Sequence, residues 1–322
     1  MPDVNQARMK VLVLGAGAVG LSLAARLSPF CQIQALCREQ HADAIARAGF
    51  RMNGIWGNGH FRFPASPELP EGESYDYCLV TSKSIQTREL CRRYAETLAS
   101  SEVVSLQNGI GNEEILADYS DRVIGGTIIT GFEWRGPAEV RVTVEAGPIR
   151  LGRFPAGVDE GIARLIDLFR EAGLNVEGSE SIRSDLWAKT LYNCALNPLG
   201  AIMNVPYGDL ADSHSWSIIT RVIGEAFAVC AAEGIRLHWN SAEAYLDYLR
   251  DVQLPATAGH HSSMLQDIRN GRETEIDFLN GAVVRLGEQY SLPAPTNRTL
   301  VELIRFKTAN PRSTTADSRG TD

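Results

Sequence analysis

The chain has 322 residues, 44% of them hydrophobic and 22% charged, which is ordinary globular composition and enough for two separately cored domains. Its formal charge of −8, without a basic cluster, argues against a nucleic-acid partner. No uninterrupted apolar run reaches the roughly 18 residues of a membrane span, and the polar start, Met1 to Lys10, lacks the pattern of a secretory signal.

Met9 to Leu14 (MKVLVL) reads as a buried parallel strand that runs straight into Gly15-Ala16-Gly17-Ala18-Val19-Gly20, and a helical pattern follows from Leu21. Strand, GxGxxG, helix is the context that a dinucleotide fingerprint requires. Gly15 allows the tight turn, Gly17 lets a pyrophosphate approach the backbone, and Gly20 lets helix and strand pack closely. The helix N-terminus adds N–H groups and a positive dipole end for the phosphates. A second strand, Gln32 to Cys37, ends at Arg38, where many NAD-binding units place an acid on the ribose hydroxyls. An arginine fork suits a 2′-phosphate, so Arg38 favours NADP(H). With Glu39 on the ribose and Arg38 turned outward, the preference would reverse.

A short helix, 41–48, ends at Gly49 and precedes a hairpin of 50–52 with 60–63; residues 64–74 form a loop. Strands at 77–80 and 103–106 follow, each ending in a polar cluster: Thr81-Ser-Lys83-Ser-Ile-Gln86-Thr87, then a helix to Leu98, and Gln107-Asn108-Gly109. Val123-Ile124 leads to Gly125-Gly-Thr127 in the same way. Ligands of open α/β sheets bind at the carboxyl ends of strands, which places Lys83, Gln86, Asn108 and Thr127 towards one cofactor; each alone could equally be an ordinary turn residue. Residues 138–144 and 149–151 read as an antiparallel pair around Gly147-Pro148, 158–172 as a helix, and 175–181 as a linker.

Beyond the linker the pattern is helical: 184–204, 213–233, 239–250, 262–287 and 296–308. The first of these is apolar nearly all round (Leu186, Trp187, Leu191, Tyr192, Leu196, Leu199), which predicts burial. Yet Lys189, Asn193 and Asn197 recur every fourth residue and share one side, with Asn204 on the same line. An ammonium and amides withdrawn from water need polar partners. Either a core carboxylate pairs with Lys189, or the stripe faces a ligand rich in oxygen; the clustering favours the ligand. In the 262–287 segment one of Ser262 and Ser263 suffices as a helix cap, and Glu275, beside the apolar stripe, is either solvated or a partner for Lys189.

Six cysteines without a CxxC pair read as reduced small hydrophobes of a cytoplasmic protein, and the histidines have no metal-ligand spacing, so no metal is expected. Residues 311–322 are nearly devoid of apolar side chains and read as a disordered tail. The expected organisation is a dinucleotide-binding domain at 1–180, a helical domain at 181–310 and the tail.

GAGAVG at 15–20, SKSIQT at 82–87, LQNGIGNEE at 106–114, the Lys189, Asn193, Asn197, Pro198 series and SSMLQDIRNGRETEID at 262–277 together resemble the ketopantoate reductase (2-dehydropantoate 2-reductase) family, over about residues 9–308. The resemblance implies an α/β Rossmann-type N-terminal domain and an all-α C-terminal domain like that of 6-phosphogluconate dehydrogenase. It also implies NADPH-dependent reduction of 2-dehydropantoate to pantoate in pantothenate synthesis. By the same resemblance Lys189 is the general acid, and Asn108, Asn193, Asn197 and Ser263 hold the substrate. Glu275 contacts the cofactor and orients Lys189; Arg38 grips the 2′-phosphate; Lys83, Gln86 and Gly131 complete the cofactor contacts. One departure is Tyr207, in Asn204-Val-Pro-Tyr-Gly208, which replaces an amide that would touch the substrate and is expected to bind the substrate in its place; the 130–134 region is also bulky. Both bear on which 2-oxo acid is taken. A same-class alternative is an NADP-dependent reductase of another branched 2-oxo acid or β-keto compound; other classes are a non-catalytic NADP-binding regulator and a scaffold. The expected partner is a small 2-oxo acid, with no membrane; the sequence leaves oligomeric state, a homodimer included, open.

Overall fold

The computed structural model describes residues 8–310; the 311–322 tail lies outside the described residues. The chain divides into two compact units. Of the described residues, the first holds those up to Gln107 and Asn112–Asp185; the second holds Asn108–Gly111 and those from Leu186.

Among the described residues the first unit has twelve strands: β1 (Lys10–Leu14), β2 (Gln32–Leu36), β3 (Phe50–Gly54), β4 (Gly59–Phe61), β5 (Ala65–Ser66), β6 (Tyr77–Val80), β7 (Glu102–Ser105), β8 (Val123–Thr127), β9 (Thr130–Gly136), β10 (Glu139–Glu145), β11 (Ile149–Arg153) and β12 (Val176–Gly178). Eight form one sheet in the order β12-β11-β8-β7-β6-β1-β2-β5. From β8 to β5 every neighbouring pair is parallel; β11 runs antiparallel to β8. The four apolar residues Val11 to Leu14 are fully buried, as a strand at the middle of a doubly wound sheet must be. Because β2 lies on one side of β1 and β6 on the other, the strand order reverses there. The loops after β1 and β6 therefore flank the topological switch point, where such sheets bind ligands.

Three strand expectations need correction. The anticipated pairing of 138–144 with 149–151 does not form: β10 pairs with β9 antiparallel and β3 parallel, while β11 joins the main sheet. The turn is made at Pro137-Ala138, and β9, which has two glycines and alternates poorly, escaped sequence reading. A separate four-stranded sheet, β4-β3-β10-β9, results. The 64–74 loop contributes the short edge strand β5, and the 175–181 linker contributes β12.

The second unit is helical: Ile182–Met203 (whose first turn belongs to the first unit), Ser213–Ala232, Ala242–Tyr248, Ser263–Arg269, Asn280–Gln289 and Pro295–Ala309. The long helix expected at 262–287 is broken. Asn270-Gly271 closes its first part, with Gly271 at φ +63° and Arg272 N–H donating to Asp267 O at 2.8 Å. A short 3-10 turn, Ile276–Phe278, then leads into Asn280–Gln289. Among the described residues one helix, Ser213–Ala232, is long and apolar enough to cross a membrane by length and composition. It carries Arg221 and Glu225, and the Glu225 carboxylate accepts the Thr296 and Asn297 backbone N–H groups, both at 2.9 Å. That carboxylate caps the N-terminus of Pro295–Ala309, which marks a core helix of this unit.

Candidate active site

The glycine turn after β1 meets the steric demands of a nucleotide loop one residue at a time. Gly15 has φ +68°, and a Cβ there would sit 2.3 Å from Ser82 Cβ, so the loops after β1 and β6 touch only because neither a side chain nor a right-handed conformation is required at Gly15. A Cβ on Gly20 would lie 2.3 Å from Thr81 Oγ1 and 3.0 Å from Val13 Cγ1; helix and sheet pack at that residue. At Gly17 a Cβ would meet nothing within 4 Å. Of the three glycines of this turn, the one facing open space is thus the one where a pyrophosphate must approach the backbone. Gly17 is also the N-cap of the helix Ala18–Leu27 and has no side chain to take the first-turn N–H groups. Those donors and the helix dipole suit an anion. Arg38, exposed, follows β2 as N-cap of the helix Glu39–Ala48, with Glu39 exposed beside it. The residues present therefore fit a dinucleotide: donors for its phosphates and a guanidinium at the strand end where the ribose belongs.

The motif after β6 separates into two sets of residues. Gln107 Nε2 donates to Ser82 O at 3.0 Å and to Thr87 Oγ1 at 2.8 Å. Thr87 Oγ1 donates to Asn112 Oδ1 at 3.0 Å, and Asn112 Nδ2 to Ser84 Oγ at 3.1 Å. All five residues are buried. This network ties the loop after β6 to the chain after β7 and explains why both motifs are polar. In the same motif Lys83 is half-buried and Gln86 exposed. Thr127, which the sequence grouped with them, is the last residue of β8 and only 2% exposed. Gly131 lies in β9 opposite Val144 of β10.

In the second unit the helix Ile182–Met203 buries Leu186, Trp187, Leu191, Leu196 and Leu199, each at most 5% exposed. Lys189 and Asn193 are half-buried and Asn197 is 5% exposed. Their spacing of four residues within one continuous helix puts the three on one side. Asn204 does not extend the line: the helix ends at Met203, and Asn204 takes φ +60°, is exposed, and accepts from Arg269 Nη2 at 2.6 Å. Lys307 Nζ donates to Ile202 O at 3.2 Å and closes the helix end.

Pro198 lies inside this helix, directly after Asn197, and cannot donate to the carbonyl four residues back, that of Cys194. Asn280 supplies the missing donor. Fully buried, it donates through Nδ2 to Cys194 O at 3.2 Å and to Asn297 Oδ1 at 2.9 Å. Asn297 in turn donates to Val222 O and Glu225 Oε2. Asn280 was missed in the sequence; the available signal was the proline within an apolar helix, which obliges some other residue to supply a donor.

Asn108 belongs to the second unit, and its Nδ2 donates to Glu275 Oε2 at 3.0 Å. Gly109 (φ +87°) and Ile110, whose N–H donates to Phe278 O at 2.8 Å, hold that loop against the 276–278 turn. Glu275 is 6% exposed, which removes the solvated reading. Ser262 is the cap: its Oγ accepts from Leu265 N–H at 3.0 Å, which leaves the exposed Ser263 without a structural duty there. Tyr207, expected to bind the substrate itself, is 2% exposed and its hydroxyl instead donates to Asn197 Oδ1.

A doubly wound sheet with an open glycine turn, followed by a helical unit carrying a Lys/Asn/Asn side, defines a nucleotide-dependent oxidoreductase of two units. Residues 11–156 match the family described as ketopantoate reductase PanE/ApbA, and residues 181–308 match its C-terminal domain. Similarity extends to the 2-dehydropantoate 2-reductases of Pyrococcus horikoshii, 32% identical over 93% of this chain and 97% of that one, and of Aquifex aeolicus, 33% identical over the same shares. Among solved structures, a PanE/ApbA family ketopantoate reductase from Ralstonia eutropha JMP134 superposes with a TM-score of 0.85 at 31% identity, covering 94% of this chain and 100% of that one. D-mandelate dehydrogenase with NADH and anilino(oxo)acetate also reaches 0.85, at 26% identity, covering 94% and 99%. The chain belongs to the ketopantoate reductase PanE/ApbA family.

Proposed function

We propose that this chain reduces 2-dehydropantoate to (R)-pantoate with NADPH, the reductive step of pantothenate synthesis. The observation that carries the reading is the helix Ile182–Met203, with Lys189, Asn193 and Asn197 at one residue per turn in a family member whose glycine turn is open at Gly17. Gly15 to Gly20, including Ala16, Ala18 and Val19, hold the pyrophosphate, Arg38 the 2′-phosphate, and Lys83, Gln86, Asn108 and Gly131 the remainder of the cofactor. When bound, NADPH supplies the hydride for the carbonyl carbon. Lys189 gives its ammonium proton to the carbonyl oxygen as negative charge develops there, which couples charge stabilisation to general acid catalysis. Asn193, Asn197 and Ser263 donate to the carboxylate and hydroxyl oxygens of the substrate without adding charge. Glu275, held by Asn108 at 3.0 Å, orients Lys189 and contacts the cofactor. The six cysteines, all buried and none in a disulfide, suit the reducing cytoplasm to which we assign the reaction.

A second reading is favoured by the likeness to D-mandelate dehydrogenase and by Glu39 exposed beside Arg38: an aryl 2-oxo acid reduced with NADH. Steady-state oxidation of NADPH and of NADH, each with 2-dehydropantoate and with phenylglyoxylate, separates the two. The primary reading expects 2-dehydropantoate with NADPH to have the highest kcat/KM. Preference for phenylglyoxylate with NADH would replace it by the second, and turnover of neither acid with either nucleotide would defeat both.

A further inference from the structure

Tyr207 is placed where it can act only through another residue. Its ring is 2% exposed, set edge-on to Tyr192 (centroids 5.9 Å apart) and tilted on His260 (5.4 Å). The backbone fixes it too: Tyr207 N–H donates to His260 O at 3.0 Å and Gly208 N–H to Ala258 O at 2.9 Å. Tyr192 is itself anchored, its hydroxyl donating to Thr257 Oγ1 at 2.8 Å, and Thr257 donates on to Gln253 O at 2.8 Å. A ring so held has one orientation, and it delivers its hydroxyl to Asn197 Oδ1. Burial pushes the phenol of Tyr207 well above the ordinary tyrosine value, so it remains a proton donor throughout the working pH range.

A carboxamide carries an acceptor at one end and two donors at the other, and a rotation of half a turn exchanges them. At the end of a substrate-binding side the two orientations are opposite in meaning: Nδ2 attracts a carboxylate or ketone oxygen, whereas Oδ1 repels it. We propose that Tyr207 is a positioning residue that locks the Asn197 amide with its oxygen turned to the phenol, so that its two N–H donors are kept for the oxygens of an anionic 2-oxo acid. This deepens the reading of Asn197 given under the proposed function and rests on it. The chain then discriminates for a carboxylate-bearing substrate at this residue by fixing the amide and not by adding charge.

The test is the cycle of wild type, Tyr207→Phe, Asn197→Ala and the double variant. The phenylalanine keeps the ring and removes only the oxygen. For 2-dehydropantoate we expect Tyr207→Phe to raise KM about 5- to 30-fold, the range of one lost hydrogen bond, with kcat within about threefold. In the Asn197→Ala background the same change is expected to alter kcat/KM less than about twofold, because the group it positions is gone. NADPH affinity, titrated by fluorescence, is expected to be unchanged in all four proteins. Independent effects that multiply, or an unaltered KM in Tyr207→Phe, would overturn the proposal. A wild type that reduces no 2-oxo acid would defeat the functional reading and leave the positioning claim to a second measurement. That measurement is the ¹⁵N-labelled side-chain NH2 resonance of Asn197, identified by its loss in Asn197→Ala. A carboxamide that ¹⁵N relaxation shows fixed about its Cβ–Cγ bond in wild type and turning about that bond in Tyr207→Phe supports the lock, and equal order in both refutes it.

Discussion

Replacing Asn280 by alanine tests how the helix that carries Lys189 tolerates a proline. The substitution strands two buried acceptors, Cys194 O and Asn297 Oδ1, which Asn280 Nδ2 serves at 3.2 and 2.9 Å. Leaving a buried acceptor unmade costs about 1–3 kcal/mol, so two cost about 2–6 kcal/mol. Against this, the alanine also removes Asn280 Oδ1, a buried oxygen without a hydrogen-bond partner, and relieves its desolvation. A net loss of about 3 kcal/mol is expected, or roughly 6–12 °C in Tm for a domain of this size. The assay is urea or thermal unfolding followed by circular dichroism, run also in a Pro198→Ala background. An alanine at 198 restores the N–H that should bond Cys194 O, so Asn280→Ala should cost about 1 kcal/mol less there. Strict additivity, within about 0.3 kcal/mol, would refute the claim that Asn280 replaces the donor that Pro198 lacks. A loss below about 1 kcal/mol in the natural background would refute the burial argument itself.

Lys189→Ala should slow 2-dehydropantoate reduction about 10²- to 10⁴-fold while NADPH binding, followed by fluorescence, stays within about twofold; near-normal turnover would remove Lys189 as the acid. Arg38→Ala should lower the NADPH-over-NADH preference in kcat/KM by about 10- to 100-fold, the worth of a charged hydrogen bond, and an unaltered ratio would place the 2′-phosphate elsewhere. Burial raises the thiols of Cys31 and Cys78 to about 12 and those of Cys37 and Cys91 to about 11. At pH 8 the thiolate fraction of Cys78 is then roughly one in ten thousand, and native protein should react with a thiol-specific disulfide reagent only as fast as it unfolds. Because the folded values lie above the unfolded value of 9.0, the stability gained by keeping these thiols neutral is complete below pH 9. It is lost as pH rises towards 12, so the denaturation midpoint should hold level to about pH 8.5 and fall above it; a level midpoint to pH 11 would contradict the assignment.

Local signals carried the first unit a long way. GAGAVG after a short apolar strand was readable because the three glycines each answer a local steric requirement, and the same requirements reappear at Ser82, Thr81 and the open space above Gly17. The Lys189/Asn193/Asn197 side was equally readable, because the period of a helix is a property of the chain alone. What escaped was whatever depended on a distant partner. Strand β9 forms because β10 offers an edge, and Asn270-Gly271 stops a helix whose apolar stripe, read alone, runs on. Asn280 is defined by a carbonyl 86 residues away in sequence, Asn108 by a carboxylate 167 residues away.

The sequence by itself determined that this chain holds a dinucleotide turn and a lysine with two amides at helical spacing, since turns and helices obey rules a few residues long. Only the tertiary structure decided that Glu275 is buried, that Ser262 and not Ser263 is the cap, and that Tyr207 serves Asn197. A buried polar atom takes its partner from whichever segment packing brings within 3 Å, and no local pattern encodes that choice.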